Sequence, residues 1–386
     1  MNELKKPKVV YFITKLELGG AQKVCLALFN SLKGDAFLIS GQHGELAQEV
    51  VSNQNFIPLK NLGREVNFIK DLKAAWELYL QLRKLKKTYP NIILHTHSTK
   101  AGFMGRAVGL LAGIKHIVHT VHGFSFNPNQ SWLAYYFCFF LELACPLFTS
   151  KIIFVSNSDL RRVESFKFVK KKALLIRAAV DFNKLLPKLK KSLEIRMQNR
   201  ASGKFTIGTV ACFKPQKNLF ALISAFKELS KSISQDISLH LEIIGDGALR
   251  VALEEKIKNL GLENNVTLLG WQKNPADFMM RWNAFTLTSL WEGLPCSLVE
   301  ARLLKIPAAC YNVNGISEVL IDNENGFLIE PLKENLSEKR LAEKLKAIIE
   351  NPELEQKFID FEQNLEEFSQ EKMVKQHKKL YAELQS

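Results

Sequence analysis

The feature that most constrains this chain is an alternation. Short apolar or β-branched runs are separated by longer stretches of helical periodicity along almost the whole length. Such alternation builds parallel sheets, because two parallel strands can be joined only through a crossover, and the crossover is usually a helix. The runs form two series. The first reads Lys8–Ile13, Ala36–Ile39, Ile92–His95, His116–Val121, Ile152–Val155 and Ala173–Ile176. The second reads Thr206–Val210, Leu239–Ile244, Val266–Leu269, Ala284–Thr288, Ala308–Tyr311 and Phe327–Ile329. Between them, residues 183–204 are rich in lysine, contain Pro187 and end in Ala201-Ser202-Gly203, which predicts a surface linker. The predicted fold is α/β, with two doubly wound, Rossmann-like domains over 1–182 and 205–367. In such sheets ligands bind beyond the carboxyl ends of the strands, so two of them facing each other enclose a cleft. The stretch 333–386 is charged and helical, without a strand signal.

Composition excludes other classes. With 386 residues, 47% hydrophobic and 24% charged, the chain has material for two cores and is neither disordered nor fibrous. The net charge of +14 is unevenly placed: residues 1–185 carry 26 Lys and Arg against 12 Asp and Glu, whereas 186–386 carry 27 of each. A one-sided positive field concentrates anionic partners, whether nucleic acid, lipid headgroups or phosphorylated substrates. No recognised nucleic-acid-binding fold is signalled, which sets nucleic acid aside. Six cysteines, at 25, 138, 145, 212, 296 and 310, form no CxxC pair and read as small apolar side chains in a reducing compartment. The first residues lack the apolar core of a signal peptide, which predicts a cytoplasmic protein. The most apolar run, Trp132–Phe148, is interrupted by Glu142 and Pro146 and falls short of the roughly 20 residues of a membrane span. It reads as a core helix, with a membrane-inserting helix as the alternative.

Several loops could carry chemistry. Gly19-Gly20 follows the first strand and opens a helix, where backbone can approach a ligand and amides can face an anion. His95, His97, His119 and His122 sit at adjacent strand ends, with no carboxylate or cysteine nearby to complete a metal set. The expectation is no metal, a polar substrate contact for His122 and structural roles for the other three. The strongest local signal is Glu292-Gly293-Leu294-Pro295-Cys296-Ser297-Leu298-Val299-Glu300 after an apolar strand. Pro295 suits a first helical turn, which would aim the amides of Cys296, Ser297 and Leu298 at an anion. Alone, the two carboxylates could equally be solvated or capping charges. Lys214 and Lys217, just past the end of another strand, could neutralise a diphosphate as point charges or remain solvated. Gly245-Asp246-Gly247 does not continue into the dinucleotide fingerprint.

In this order and spacing, these segments resemble the family-4 retaining glycosyltransferases of the GT-B fold. The match takes in Gly19-Gly20-Ala21, Lys100-Ala101-Gly102 with Gly105-Arg106, His122-Gly123, Lys217, Gly245-Asp246-Gly247, Leu269-Gly270, Glu292 to Glu300, Gly315 with Glu318, and Asn325-Gly326-Phe327-Leu328. The resemblance implies that the C-terminal domain binds a nucleotide-diphosphate sugar and the N-terminal domain an acceptor, with helix 368–386 returning to the latter. By position, Glu300 would accept from ribose hydroxyls, and Glu292 with Gly293, Leu294 and the amides that follow would hold the transferred sugar. Lys217, the helix start at Pro295–Ser297 and the backbone of Gly20 would stabilise the leaving diphosphate, and His122 would contact the sugar near its anomeric end.

That chemistry needs charge stabilisation more than a base. The expected reaction is retaining same-face substitution without metal or cofactor, from a UDP-sugar in preference to a GDP-sugar, to a glycan or lipid-linked acceptor in cell-surface polysaccharide synthesis. One departure is Cys212, where the family usually has an arginine; Lys214 is the candidate replacement. The departure keeps a catalytically silent nucleotide-sugar-binding protein open, and an epimerase of the same architecture is a further alternative. Lys100 and Arg106 are candidates for an acceptor phosphate. The basic clusters at 83–87, 161–162 and 170–172 predict attachment to the anionic inner face of a membrane.

Overall fold

The computed structural model describes residues 8–124, 132, 136, 139, 142, 144–332 and 336–385. The chain divides into two compact units, one formed by 1–179 with 370–386 and the other by 180–369.

The first unit carries a wholly parallel seven-stranded sheet made of β1 (Val9–Phe12), β2 (Ala36–Gly41), β3 (Phe56–Leu59), β4 (Ile93–His97), β5 (His116–Val121), β6 (Lys151–Phe154) and β7 (Ala173–Leu175), in the order β3-β2-β1-β4-β5-β6-β7. The central strands are apolar on both faces because helices cover both. Val9, Val10, Tyr11 and Phe12 are all fully buried. Strand β3 was not expected: it is short, holds Pro58 and occupies the sheet edge, the one place where a missing N–H costs the ladder nothing.

The second unit has a six-stranded parallel sheet of β8 (Lys204–Val210), β9 (Ser238–Ile244), β10 (Val266–Gly270), β11 (Ala284–Leu287), β12 (Ala308–Tyr311) and β13 (Gly326–Ile329), ordered β10-β9-β8-β11-β12-β13. Its core packs the apolar face of helix Leu219–Ser232 (Leu222, Ile223, Phe226, Leu229) against Leu241, Ile243 and helix Leu336–Glu350. In both sheets the order reverses beside the first strand, between β1 and β4 and between β8 and β11. At such switch points the loops diverge to opposite faces and leave a crevice.

Residues 183–204, the predicted surface linker, are helical rather than irregular. They form helices Phe182–Leu185 and Leu189–Ala201, and the latter is fixed to the second unit. Buried Arg196 donates to the carbonyls of Leu304 (2.9 Å) and Lys305 (3.0 Å), and Ser192 donates to that of Met280 (3.1 Å). A run of charged residues can thus cover a core when its long stems lie flat and its heads find carbonyls. At the other end, helix Gln370–Gln385 buries Met373, His377, Leu380 and Tyr381 in the first unit, against helix Gly20–Ser31. Eight of the 17 residues of the Trp132–Phe148 run, expected as a core helix, lie outside the described residues; no helix among those described is long and apolar enough to cross a membrane.

Candidate active site

The switch point of the second unit gathers the charged residues singled out in the sequence. Strand β8 ends at Val210, and the turn after it holds Cys212, Lys214 and Lys217. Strand β11 ends at Leu287, and its loop holds Ser289 and Glu292. The two loops are tied by backbone: Leu290 N–H donates to the Gln216 carbonyl (2.8 Å), the Gln216 side chain to the Trp291 carbonyl (2.8 Å), and the Thr288 hydroxyl to the carbonyls of Lys217 and Asn218 (3.1 Å each). This lacing brings the Lys217 ammonium onto Oε1 of Glu292 in a short charged hydrogen bond. The Ser289 hydroxyl donates to the same oxygen at 2.6 Å. Both bonds fall on Oε1, which leaves Oε2 for a further donor.

Glu292 is only 7% exposed, so it is no solvated charge. Burial alone would lower the Lys217 pKa, but the Glu292 charge and hydrogen bond, together with Cys212 and Cys296, more than offset it and raise it above the usual lysine value. The pair therefore offers a fixed cation at neutral pH, with a carboxylate oxygen beside it.

Glycines set the close approaches. A Cβ on Gly315 would stand 2.0 Å from the Gly293 carbonyl oxygen, so the turn after β12 can pack on the Glu292 loop only without a side chain. Gly245, with φ +130°, has a virtual Cβ 2.0 Å from the Ala211 carbonyl oxygen, which locks the β9 loop onto the β8 loop. In the helix Cys296–Leu303, Pro295 is the N-cap rather than the first helical residue. The Leu298 amide closes the first turn onto the Pro295 carbonyl (3.0 Å), so the expectation for it fails and the amides of Cys296 and Ser297 are the ones at the helix mouth. Glu300 is half-buried in the same helix.

In the first unit, Gly19 caps helix Gly20–Ser31 in an extended conformation, and Gly20 begins it. Thr14, after β1, and Ser98, after β4, meet at the switch point with hydroxyls 2.8 Å apart. Ser98 has φ +66°, a strained setting for a residue with a Cβ. His122 follows β5 and is half-buried; its Nε2 lies 3.0 Å from Nδ1 of His97. His95 contacts the Tyr381 hydroxyl (2.6 Å) and the Thr120 hydroxyl (2.7 Å), and His119 the Thr96 hydroxyl (2.8 Å), so both are internally satisfied. Burial lowers every one of these histidine pKa values, that of His122 to about 3, and all four rings are neutral at pH 7.

Two expectations need correction. Lys100 is held by Asp71 (2.6 Å) and by the carbonyls of Gly63 (2.8 Å) and Glu65 (2.5 Å). Arg106 is 1% exposed; it donates to the Gly102 carbonyl (2.9 Å), pairs with Glu142 (3.3 Å) and lines an apolar cavity of about 200 Å³ with Phe124, Phe139, Phe154 and Phe166. Neither presents its charge to an acceptor phosphate, because each already serves local packing.

Residues 18–184 match the Glycosyltransferase Family 4 model and residues 191–364 the model for Glycosyl transferases group 1. Over 320 residues the chain is 31% identical to an Escherichia coli UDP-Gal:alpha-D-GlcNAc-diphosphoundecaprenol alpha-1,3-galactosyltransferase, covering 81% of each. The chain belongs to glycosyltransferase family 4. Another relative is the capsular polysaccharide biosynthesis glycosyltransferase CapM of Staphylococcus aureus, 22% identical over 91% of this chain and 90% of its own. Among solved structures, Anabaena HepE in complex with UDP and glucose superposes with TM-score 0.77 at 17% identity (97% of this chain, 100% of that one). Sucrose-phosphate synthase of Thermosynechococcus elongatus does so with 0.77 at 17% (98% and 99%). The family-4 glycosyltransferase described here thus has the GT-B fold.

Proposed function

We propose that this glycosyltransferase moves a sugar from a UDP-sugar to a lipid-linked glycan acceptor with retention of anomeric configuration. The observation that carries the reading is the Lys217–Glu292 pair at the switch point of the second unit. Breaking a bond from sugar to diphosphate builds negative charge on the phosphate and positive charge on the sugar, and a fixed cation beside an oriented carboxylate suits both. Lys217 and the amides of Cys296 and Ser297 stabilise the leaving diphosphate, with Lys214 close by in sequence and Gly20 opening the equivalent helix of the first unit. Glu292 Oε2, with Gly293 and Leu294, orients the transferred sugar, and Glu300 takes the ribose hydroxyls. His122 contacts the sugar near its anomeric carbon. The departing phosphate oxygen receives the acceptor's proton, so the step needs no divalent metal and no cofactor.

UDP is favoured because the E. coli relative is named for UDP-Gal and HepE was crystallised with UDP and glucose. A lipid-linked acceptor is favoured because that same relative is named for a diphosphoundecaprenol substrate, and because the positive excess lies on the half that would receive it. Arg161, Arg162, Lys170 and Lys171 are exposed, which supports contact of this charge with an anionic membrane surface.

The deciding experiment follows UDP release from a panel of UDP-sugars, with and without polyprenyl-diphosphate-linked glycans. Acceptor-dependent release supports the proposal. Interconversion of the sugar nucleotide without acceptor would make the protein an epimerase, and binding without turnover would make it a silent binder.

A further inference from the structure

We propose that His97 is a positioning residue that holds His122 in the tautomer with its hydrogen on Nδ1, so that His122 meets its ligand as a hydrogen-bond donor and not as a base. The proposal rests on the reading that His122 faces the donor sugar, and it adds how the ring is oriented and which proton it presents.

His97 ends β4 and His122 follows the end of β5, two strands paired in parallel with His97 opposite Thr120. The 3.0 Å contact between His97 Nδ1 and His122 Nε2 holds one hydrogen, so one ring donates and the other accepts. The burial of His97 decides which. Its ring is fully buried and its Nε2 reaches no partner among the described residues. Were His97 the acceptor at Nδ1, its own hydrogen would lie on Nε2 as a buried, unpaired N–H, the kind of orphan that native folds most avoid. With the hydrogen on Nδ1, His97 donates to His122 Nε2 and leaves only a lone pair unused. A neutral His122 that accepts at Nε2 carries its hydrogen on Nδ1.

The surroundings hold the pair in this state. The rings beside His97 are His95, with centroids 4.3 Å apart, and Tyr11 at 6.0 Å, and no carboxylate is among these contacts to bring a second proton. His95 has both nitrogens engaged, and His377 donates its Nδ1 hydrogen to the Met373 carbonyl (2.8 Å), so neither ring takes over the His97 bond. The backbone after His97 is pinned by the strained Ser98, whose hydroxyl meets that of Thr14. An N–H fixed in this way binds an oxygen lone pair, here a hydroxyl of the transferred sugar. The occupied Nε2 cannot remove the acceptor's proton, which leaves that proton to the departing phosphate oxygen.

The test reads the His122 tautomer by long-range 1H–15N correlation on the ¹⁵N-labelled full-length protein without ligand, alongside turnover of the UDP-sugar panel. His97→Asn places an amide N–H where Nδ1 stood, and His97→Leu removes the donor. The wild type and His97→Asn should show His122 protonated on Nδ1 and keep turnover within about threefold. His97→Leu should show mixed tautomers and lose turnover by about a hundredfold, the order of loss expected from a misplaced contact group. A wild-type His122 protonated on Nε2 would overturn the proposal, and so would an unchanged tautomer in His97→Leu. Should His97→Leu fail to fold, the wild-type and His97→Asn spectra decide alone. Absent turnover with the Nδ1–H tautomer intact would sink the transferase reading and leave the role of His97 standing.

Discussion

The two units share a strand order around their first strand, yet they fill the point where that order reverses with opposite electrostatics. In the second unit the crevice holds an ion pair, Lys217 with Glu292, and the attraction of Glu292 helps to raise the Lys217 pKa against its burial. In the first, the neighbouring strand ends hold His95, His97, His119 and His122, kept neutral by burial, while the buried ion pair Arg106–Glu142 sits to one side and braces helix Thr99–Leu111. Topology alone therefore assigns no chemistry. The side chains delivered by the loops do, and one architecture can make one crevice an anion site and another a neutral hydrogen-bonding wall.

The sharpest way to break the comparison is to remove the second unit's charge. Glu292→Ala or Lys217→Ala should lower turnover about 10²- to 10³-fold, with an unchanged circular dichroism spectrum. Retained activity in either would show that the pair is structural, like its counterpart in the first unit. Arg106→Ala should act the other way round. Removing one partner of a buried pair costs about 3 kcal/mol of stability, read by urea unfolding at pH 7, with kcat near wild type at low temperature. Burial raises the Glu142 pKa against the opposing pull of Arg106. The variant's deficit should shrink as pH falls towards the ordinary carboxylate range, where folded Glu142 takes up a proton before the unfolded chain does.

Acid should separate the units. Of the eight histidines only His240 lies in the second unit, and it is half-buried, whereas His95, His97, His119 and His377 are buried. Folded His377 titrates at about 4, below the unfolded value near 6.5, so its contribution is complete above pH 6.5 and drains away as pH drops. At pH 5 the loss is about 2 kcal/mol from this residue alone. Hydrogen exchange should show β4 and β5 losing protection before β8 and β11, and simultaneous loss would contradict the contrast. Gly315→Ala should cost about 2 kcal/mol and weaken UDP binding in calorimetry, since the new methyl meets backbone and not a movable side chain. The smallest effect belongs to Cys212→Arg, which should tighten UDP about tenfold if a second cation improves the diphosphate site.

The sequence announced twelve of the thirteen described strands because each is apolar and flanked by helical periodicity. The thirteenth, β3, escaped because Pro58 is a strand breaker everywhere except at an edge, and edges are not visible before the sheet is assembled. The anchoring of the 183–204 segment was not legible because composition reports charge and not where a stem lies, as Arg196 shows. Lys217 and Glu292 were each legible as residues past strand ends, but their pairing across 75 positions required both loops to be placed. Arg106 misled for the opposite reason, since a basic residue near a glycine-rich helix start carries no sign of the glutamate 36 positions on that neutralises it. The seam of Met373, His377, Leu380 and Tyr381 has the spacing of a helix face and could have been read as core, although its target could not.

That last helix also bears on how the protein is made. Tyr381 places its hydroxyl between those of Tyr11 and the His95 ring, joining the chain's beginning to its end. As the polypeptide emerges from the ribosome, 180–369 can complete their sheet while β1 and β4 still await the helix that covers them. The unit whose strands are synthesised first is therefore the one finished last, and until residues 370–385 arrive His95 lacks the Tyr381 hydroxyl that engages its Nδ1.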